Sequence, residues 1–415
     1  MVERDHTQTL FFSMPLLSYQ KTAVAQIKKH KKGTIFIPTG GGKTYVFMTD
    51  AKNRIQESNS PLTIIVVAPR ILLSEQLASE FQEFLKDEEI SITHVHSGHK
   101  NGTTKPHVIA TYDAAIKALN KHHIIFTTYK SLEKVNESGI PMNVVYFDEA
   151  HNAVKPATQV GVAHTSQVSD HTYFFTATPK IAMNQTNIYG SNIVSVSATE
   201  LINAGTILSP KVETYEFNEI RTKENAPLVD ASNIIGILSE VEEGNPKVLV
   251  AAPSTKIIWE SLSQTALLGD LNAMGYTVMH ITSKHGAYID KKKVSRQVFF
   301  EKLTEYGNDP TKKIIVFHYS ILSEGINVPG LTHCIMLRNL PTVEMLQTIG
   351  RVIRVAKEDR DAIEKRKIQP GQFEFYKKSE GKIIIPVSKG YGANIQRNIQ
   401  NLVDAVFVQG QTVIS

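Results

Sequence analysis

The stretch Pro38-Thr39-Gly40-Gly41-Gly42-Lys43-Thr44 decides how this chain reads. An apolar run suited to a strand, Thr34-Ile35-Phe36-Ile37, precedes it, and a segment suited to a helix, Tyr45 to Gln56, follows. Strand, glycine loop and helix in that order make a phosphate-binding context. Glycine has no Cβ, so backbone N–H groups can curl around a polyphosphate at close range. The helix start adds unsatisfied donors and the positive end of its dipole. In such a loop Thr39 and Gly40 to Gly42 line the cradle. Lys43 reaches the β- and γ-phosphates of ATP, and the Thr44 hydroxyl ligates Mg²⁺. Ile37 stands where the strict form of the loop carries a glycine.

At 415 residues the chain is long for one core, and two domains of about 200 residues each are the natural division. Its 41% hydrophobic and 20% charged residues are those of a globular chain, which excludes a disordered one. The net charge of +5 permits an anionic partner without demanding one. The single Cys334 excludes a disulfide framework and a tetrathiolate zinc site, and fits a reducing intracellular compartment, cytoplasm or nucleoid. No apolar stretch approaches the ~18 residues of a membrane span. Met1 to Thr9 is polar, without the apolar segment of a signal peptide.

Upstream of the loop, Pro15 to His30 reads as an amphipathic helix with Tyr19-Gln20 near its start. A glutamine amide can both donate to and accept from one edge of adenine. Downstream, Leu62 to Ala68 is a near-continuous apolar run, as a parallel strand buried on both faces requires. Pro69-Arg70 ends it, and Ile71 to Leu85 reads as a helix. The strand Ile124-Ile125-Phe126 closes on Thr127-Thr128-Tyr129-Lys130-Ser131. Loops at the C-terminal ends of parallel strands are where such sheets bind ligands, so Pro69, Arg70, Thr128, Tyr129 and Ser131 sit where nucleic-acid phosphates could be gripped. The hydroxyls suit turn and N-cap chemistry equally well.

Val144-Val145-Tyr146-Phe147 runs into Asp148-Glu149-Ala150-His151. Adjacent acids at a strand end repel each other unless a cation or a reacting water sits there. Beside a phosphate loop, Asp148 would hold Mg²⁺ and Glu149 would orient or deprotonate the attacking water. Tyr173-Phe174-Phe175 is the next strand, ending in Thr176-Ala177-Thr178-Pro179. The histidines 94, 96 and 99 have no fourth ligand and read as strand end and turn.

A Gly/Thr/Ser/Pro stretch around Asn203 to Lys211 marks a boundary. Beyond it come a strand (Val248 to Ala252), a helix (Thr255 to Leu268), a strand (Thr277 to Ile281) and a basic helix (Lys291 to Leu303). Ile314 to Phe317 and Ile335 to Leu337 are further strands. The sequence predicts domains at 1–206 and 207–365. Residues 366–415 then form a hairpin (Phe373 to Tyr376 with Lys382 to Val387) and a last helix, whose apolar face runs from Ile395 to Val406. Arg351 and Arg354, spaced i, i+3 on a helix, would project from one face.

The order of these motifs resembles that of superfamily 2 helicases and translocases from Gln20 to Arg354. Gln20 is similar to the adenine-reading glutamine, PTGGGKT to motif I, Pro69-Arg70 to motif Ia and TTYKS to motif Ib. DEAH at 148–151 resembles motif II, TATP at 176–179 motif III, SEGINVP at 323–329 motif V and QTIGRVIR at 347–354 motif VI. Asn327 stands where aspartate is common in motif V. The glycine loop and motif VI look most like the DNA-acting group of UvsW-type phage helicases, type III restriction motors and excision-repair translocases. The resemblance implies tandem RecA-like α/β domains with ATP and Mg²⁺ bound between them. Lys43, Asp148, Glu149, His151, Gln347, Arg351 and Arg354 would be the catalytic set. Gly325 and Asn327 would join the loop in holding the nucleotide. DNA is the implied partner, with RNA as the alternative, and no membrane is involved.

Overall fold

The computed structural model describes residues 15–97, 99–241, 244–282, 284–319 and 328–414. They fall into two compact units, one running to Val196 and including the residues from Thr412 onward, the other spanning Ser197–Gln411. The division comes earlier than the Gly/Thr/Ser/Pro stretch suggested. Ser197 caps a short helix by accepting from the Glu200 N–H at 3.1 Å, and the Leu208 N–H beyond it donates to Ile353 at 2.7 Å. Those bonds commit the segment to the second unit.

The first unit alternates helix and strand: α1 (Ser18–Lys29), β1 (Lys32–Phe36), α2 (Lys43–Glu57), β2 (Thr63–Ala68), α3 (Ile71–Phe84), β3 (Ile90–Val95), α4 (Pro106–Ala118), β4 (His122–Thr128), α5 (Leu132–Glu137), β5 (Val144–Phe147), α6 (Pro156–Val168), β6 (His171–Thr176), α7 (Thr186–Tyr189) and β7 (Ser191–Ser195). Among the described residues its strands form a seven-stranded sheet, β3-β4-β2-β5-β6-β1-β7, with every pairing parallel. β2 and β5 are buried along their whole length, so their side chains fill two cores in alternation. Tyr146 meets Phe47 of α2 at 5.6 Å between ring centroids, while Phe147 stacks on Phe174 at 4.7 Å on the other face.

The buried positions of α2 recur at helical spacing (Val46, Phe47, Ala51, Ile55), and Asp50 falls among them at 3% exposure. A carboxylate on a core face needs donors. Arg54 Nε (2.7 Å) and the Tyr146 hydroxyl (2.5 Å) both reach its Oδ2. Arg54 Nη2 also donates to Tyr173 Oη at 2.7 Å, and that hydroxyl donates to the His30 carbonyl at 2.6 Å. The chain of bonds fastens α1, α2, β5 and β6 together behind the glycine loop.

The second unit contains α8 (Ala198–Asn203), β8 (Ser209–Glu216), α9 (Ala226–Ser239), β9 (Lys247–Ala251), α10 (Thr255–Gln264), α11 (Leu267–Ala273), β10 (Tyr276–Thr282), β11 (Gly286–Ile289), β12 (Lys292–Val294), α12 (Arg296–Asn308), β13 (Lys313–His318), β14 (His333–Met336), α13 (Thr342–Val352), α14 (Lys357–Glu364), β15 (Glu380–Val387) and α15 (Ala393–Val403). Among the described residues its sheet has eight strands, β12-β11-β10-β13-β9-β14-β15-β8, parallel except for the antiparallel pairings β10–β11 and β11–β12 at one edge. Val250, Ile315, Phe317 and Ile335 pack under Ile234, Ile237, Ile258 and Leu262 of α9 and α10. Both units are therefore the parallel-dominated α/β type that the sequence predicts. No helix of the described residues is long and apolar enough to cross a membrane.

Three expected elements differ. Lys291 to Leu303 is not one basic helix: Lys292–Val294 pairs with β11, and α12 begins only after Ser295, whose Oγ accepts from the Val298 N–H at 3.2 Å. Thr255 to Leu268 breaks at Thr265, which is extended and whose hydroxyl oxygen accepts from the Leu267 N–H at 3.1 Å. Phe373 to Tyr376 makes no hairpin with Lys382 to Val387. Phe373–Phe375 is a single 3₁₀ turn, and β15 lies parallel between β14 and β8, inside the sheet. The apolar run Ile383-Ile384-Ile385 suits such an interior place.

Replacing Asp50 with alanine leaves a largely buried guanidinium without its carboxylate, an expected loss of ~3–5 kcal/mol. Tyr146→Phe removes one hydrogen bond and should cost only about 1 kcal/mol. Urea melting of both variants checks the order. An Asp50→Ala loss below that of Tyr146→Phe would mean the network does not hold α2.

Candidate active site

Because the first sheet is parallel, the segments after β1, β2, β4, β5 and β6 all emerge at one edge, where open α/β sheets bind ligands. These are the glycine loop, Pro69-Arg70, Tyr129 to Ser131, Asp148 to His151, and Ala177-Thr178. β6 lies between β5 and β1. Thr176 at the end of β6 and Thr178 just after it therefore stand between the acidic pair and the glycine loop.

Gly40 and Gly42 adopt φ of 88° and 74°. A side chain at Gly42 would be strained, and its Cβ would meet Gln20 Nε2 at 2.6 Å. α2 starts at the next residue, Lys43, so the first N–H groups of the helix face the loop without helical acceptors. Gln20 is buried against this turn. Its Oε1 accepts from the Leu17 N–H at 3.0 Å and its Nε2 lies 3.4 Å from the Gly41 carbonyl. Tyr19, unassigned from sequence, donates its hydroxyl to that same carbonyl at 2.8 Å and so pins the loop. Its position beside Gln20 was the one available signal.

Asp148 is 5% exposed at the end of β5. Burial first, then the Glu149 charge, pushes its carboxyl up to about 7, while the Lys43 ammonium pulls the other way. Such a carboxyl is short of positive charge, and a divalent cation held by Asp148 and Thr44 would supply it. The residues present fit Mg²⁺ on that ground. Glu149 has φ of 45°, a left-handed conformation rare outside glycine and one that concentrates at functional sites.

His151, 7% exposed, links this strand end to the next. Asn152 Nδ2 donates to the Glu149 carbonyl at 2.9 Å, which fixes that atom as nitrogen, and it lies 3.1 Å from His151 Nε2. Nε2 is therefore the acceptor and Nδ1 carries the proton. Nδ1 lies 3.3 Å from Thr176 Oγ1, 3.2 Å from Thr178 Oγ1 and 3.4 Å from Glu149 Oε2. Burial keeps the ring below the ordinary histidine value, so it acts as a neutral hydrogen-bonding bridge. His94 and His99 stack at 3.9 Å, with His94 lowered to about 4 by burial and then by the other two rings.

The residues expected to touch nucleic acid divide. Pro69 and Arg70 are half-buried at the start of α3, with Arg70 extended as its N-cap. Thr128 Oγ1 donates to Ser131 Oγ at 3.2 Å and accepts from the Ser131 N–H at 3.3 Å, which is turn chemistry. Tyr129 must be corrected. Its ring is buried beside Phe147 at 5.8 Å, and its hydroxyl donates to the Asp148 carbonyl at 2.9 Å. It supports the acidic strand end from below and presents no face to a ligand.

In the second unit Gln347 and Arg351 lie buried on α13. Burial, followed by the charges of Arg351 and Arg338, holds His318 at the end of β13 down to about 3, which places Arg351 near that strand end. The shared helical face of Arg351 and Arg354 is corrected. α13 ends at Val352, and Arg354 forms an antiparallel bridge with Ile207. Gly325 and Asn327 lie outside the described residues.

The family model of the type III restriction enzyme res subunit matches residues 13–181, and that of the helicase conserved C-terminal domain matches residues 231–356. No curated protein matches in sequence. Among solved structures, the type ISP restriction-modification enzyme LlaBIII bound to DNA superposes with a TM-score of 0.68 at 17% identity, over 95% of this chain and 30% of that one. The Saccharomyces cerevisiae protein Dbp5, bound to RNA and ADP BeF3, gives 0.59 at 16% identity, over 98% and 93%. A putative HsdR subunit of a type I restriction enzyme from Vibrio vulnificus YJ016 gives 0.61 at 15% identity, over 100% and 70%. This chain thus spans less than a third of the restriction-modification enzyme, and the likeness to all three is one of fold, tandem RecA-like sheets. With the models of both helicase halves matched in order along it, the chain belongs to the superfamily 2 helicases, a family of nucleic-acid-dependent ATPases.

Proposed function

We propose that this chain is an ATP-dependent DNA helicase or translocase that hydrolyses ATP to ADP and phosphate. The observation that carries the reading is the adjacent Asp148–Glu149 pair, Asp148 buried and Glu149 half-buried, with the Lys43 ammonium acting on Asp148 and with Glu149 in a left-handed conformation. The backbone N–H groups of the glycine loop and Lys43 bind the phosphates, and Gln20 stands beside them for the adenine. Thr44 and Asp148 are the residues that would hold Mg²⁺, whose role when bound is to offset the charge of the phosphate oxygens. Glu149 orients the attacking water and takes its proton as the bond between the γ-phosphorus and the bridging oxygen breaks. His151 ties the acidic strand end to Thr176 and Thr178 through Nδ1, with Glu149 Oε2 3.4 Å from the same atom. Arg351, from the second unit, supplies the charge that stabilises the γ-phosphoryl group in the transition state, and Gln347 offers an uncharged amide donor. Gly325 and Asn327 are proposed for the ribose.

DNA is favoured over RNA by the restriction-enzyme model matched in the first half. Pro69, Arg70 and Ser131 would touch the strand through its phosphates, without reading sequence. The same match supports a second reading, a motor that moves along duplex DNA without separating strands.

Glu149→Gln should keep nucleotide affinity while turnover falls by at least ~10²-fold, since only the proton acceptor is lost. Nucleotide binding and ATPase rates, measured with single-stranded DNA, duplex DNA and RNA, check both the residue and the partner. Near-normal turnover in the variant would remove the assignment, and stimulation by RNA alone would remove DNA. A strand-displacement assay beside the ATPase assay separates helicase from motor. Tyr129→Phe should cost about 1 kcal/mol of stability and leave DNA affinity unchanged. Weakened DNA binding in a variant of unchanged stability would return Tyr129 to the nucleic-acid surface.

A further inference from the structure

Residues 366–415 contain no motif, yet one side chain there reaches the end of the arginine helix. Lys378 stands just before β15. Its stem is half-buried and its ammonium is enclosed. The ammonium donates to the Leu331 carbonyl at 2.6 Å, to the Arg354 carbonyl at 2.8 Å and to the Val352 carbonyl. A lysine has three N–H donors, and here each has an acceptor. Val352 is the last residue of α13, so its carbonyl is among those that a helix leaves unpaired at its negative end.

Two further constraints converge on the same place. Asp359, 2% exposed, accepts from the N–H groups of Lys377 (2.8 Å) and Lys378 (3.1 Å), which fixes the backbone from which the side chain reaches. Gly381 passes so close to the helix end that a Cβ would lie 2.8 Å from the Val352 oxygen. Arg351 is the residue immediately before this clamped carbonyl.

We propose that Lys378 is a positioning residue for the ATPase, drawing the carbonyls of Leu331, Val352 and Arg354 onto one ammonium so that the end of α13 presents Arg351 in a single place. The inference rests on the reading of Arg351 given above. In this proposal Lys378 acts through Arg351 alone. With Lys378 replaced by methionine, three converging carbonyls lose their shared donor and move apart to find water, and the end of α13 moves with them. A displacement of about 1 Å in a group acting on the transition state costs on the order of 10²-fold in rate.

The experiment compares Lys378→Met, Arg351→Ala and the double variant of the full chain. It reads DNA-stimulated turnover, KM, affinity for a fluorescent ATP analogue and circular-dichroism melting. For Lys378→Met the expected result is a folded protein, analogue affinity and KM within about threefold of the parent, and kcat lower by ~10²-fold. The double variant should be no slower than Arg351→Ala alone, because both changes remove one contribution. Lys378→Gln, with two N–H donors, should lose less, and it carries the same comparison should the methionine variant fail to fold. A Lys378 variant of near-parental kcat, or losses that multiply in the double variant, would overturn the positioning role while leaving Arg351 in place. Parental turnover in Arg351→Ala would instead remove the arginine reading, and the positioning role with it.

Discussion

A carboxyl group enclosed at the end of a buried strand is costly as an anion unless positive charge faces it, and the first unit is organised around that constraint. Asp148 has Lys43 on one side and Glu149, a like charge, on the other. Both neighbours are anchored through their backbones. Lys43 is the first residue of α2, and α2 is fastened to β5 and β6 through the Asp50–Arg54–Tyr146–Tyr173 bonds. Glu149 is held by a left-handed backbone and by Asn152. The backbone positions of these charged residues are thus set by the core behind them.

Strand order explains which contacts this edge can make. β5 and β1 are not neighbours, because β6 runs between them. Apart from the direct effect of the Lys43 charge on Asp148, the acidic pair is linked toward the glycine loop through the end of β6. His151 makes the first half of that link, since its protonated Nδ1 faces Thr176, Thr178 and Glu149 together. A lysine or glutamine at 151 could not place one donor among three oxygens with a flat ring held from behind by Asn152.

Much of this was legible in the sequence, for a physical reason. Parallel strands buried on both faces must be nearly continuous apolar runs, so Leu62 to Ala68 and Val144 to Phe147 announce themselves. Whatever polar residues follow such a run are at the ligand edge, which is how Gly40 to Thr44, Asp148 and Glu149 could be placed. What failed to show depended on partners distant in sequence. Tyr129 looked available because its loop is polar, yet its hydroxyl answers the carbonyl of Asp148. Arg354 looked like a helical residue because i, i+3 spacing says nothing about where a helix stops. Ile383 to Ile385 looked like a hairpin arm because a sequence does not reveal that β15 fits between two strands formed far upstream.

That insertion has consequences for the second unit as a whole. β8, its first strand, pairs with β15, its last, over the register from Ser209–Glu380 to Glu216–Val387. Until β15 arrives, β8 has no ladder and β14 has an open edge, so the sheet closes through contacts of very high sequence separation. The arginine helix lies between these strands in sequence, and its end is shaped by residues that flank β15: Lys378 before it and Gly381 within it. The strand that completes the sheet therefore also brings the contacts made at the end of α13. A chain with β8 to α13 alone would contain every helicase motif of this half, but α13 would end without the ammonium that gathers its carbonyls. The motif-free residues after 366 are in this sense part of the structure that ends the arginine helix.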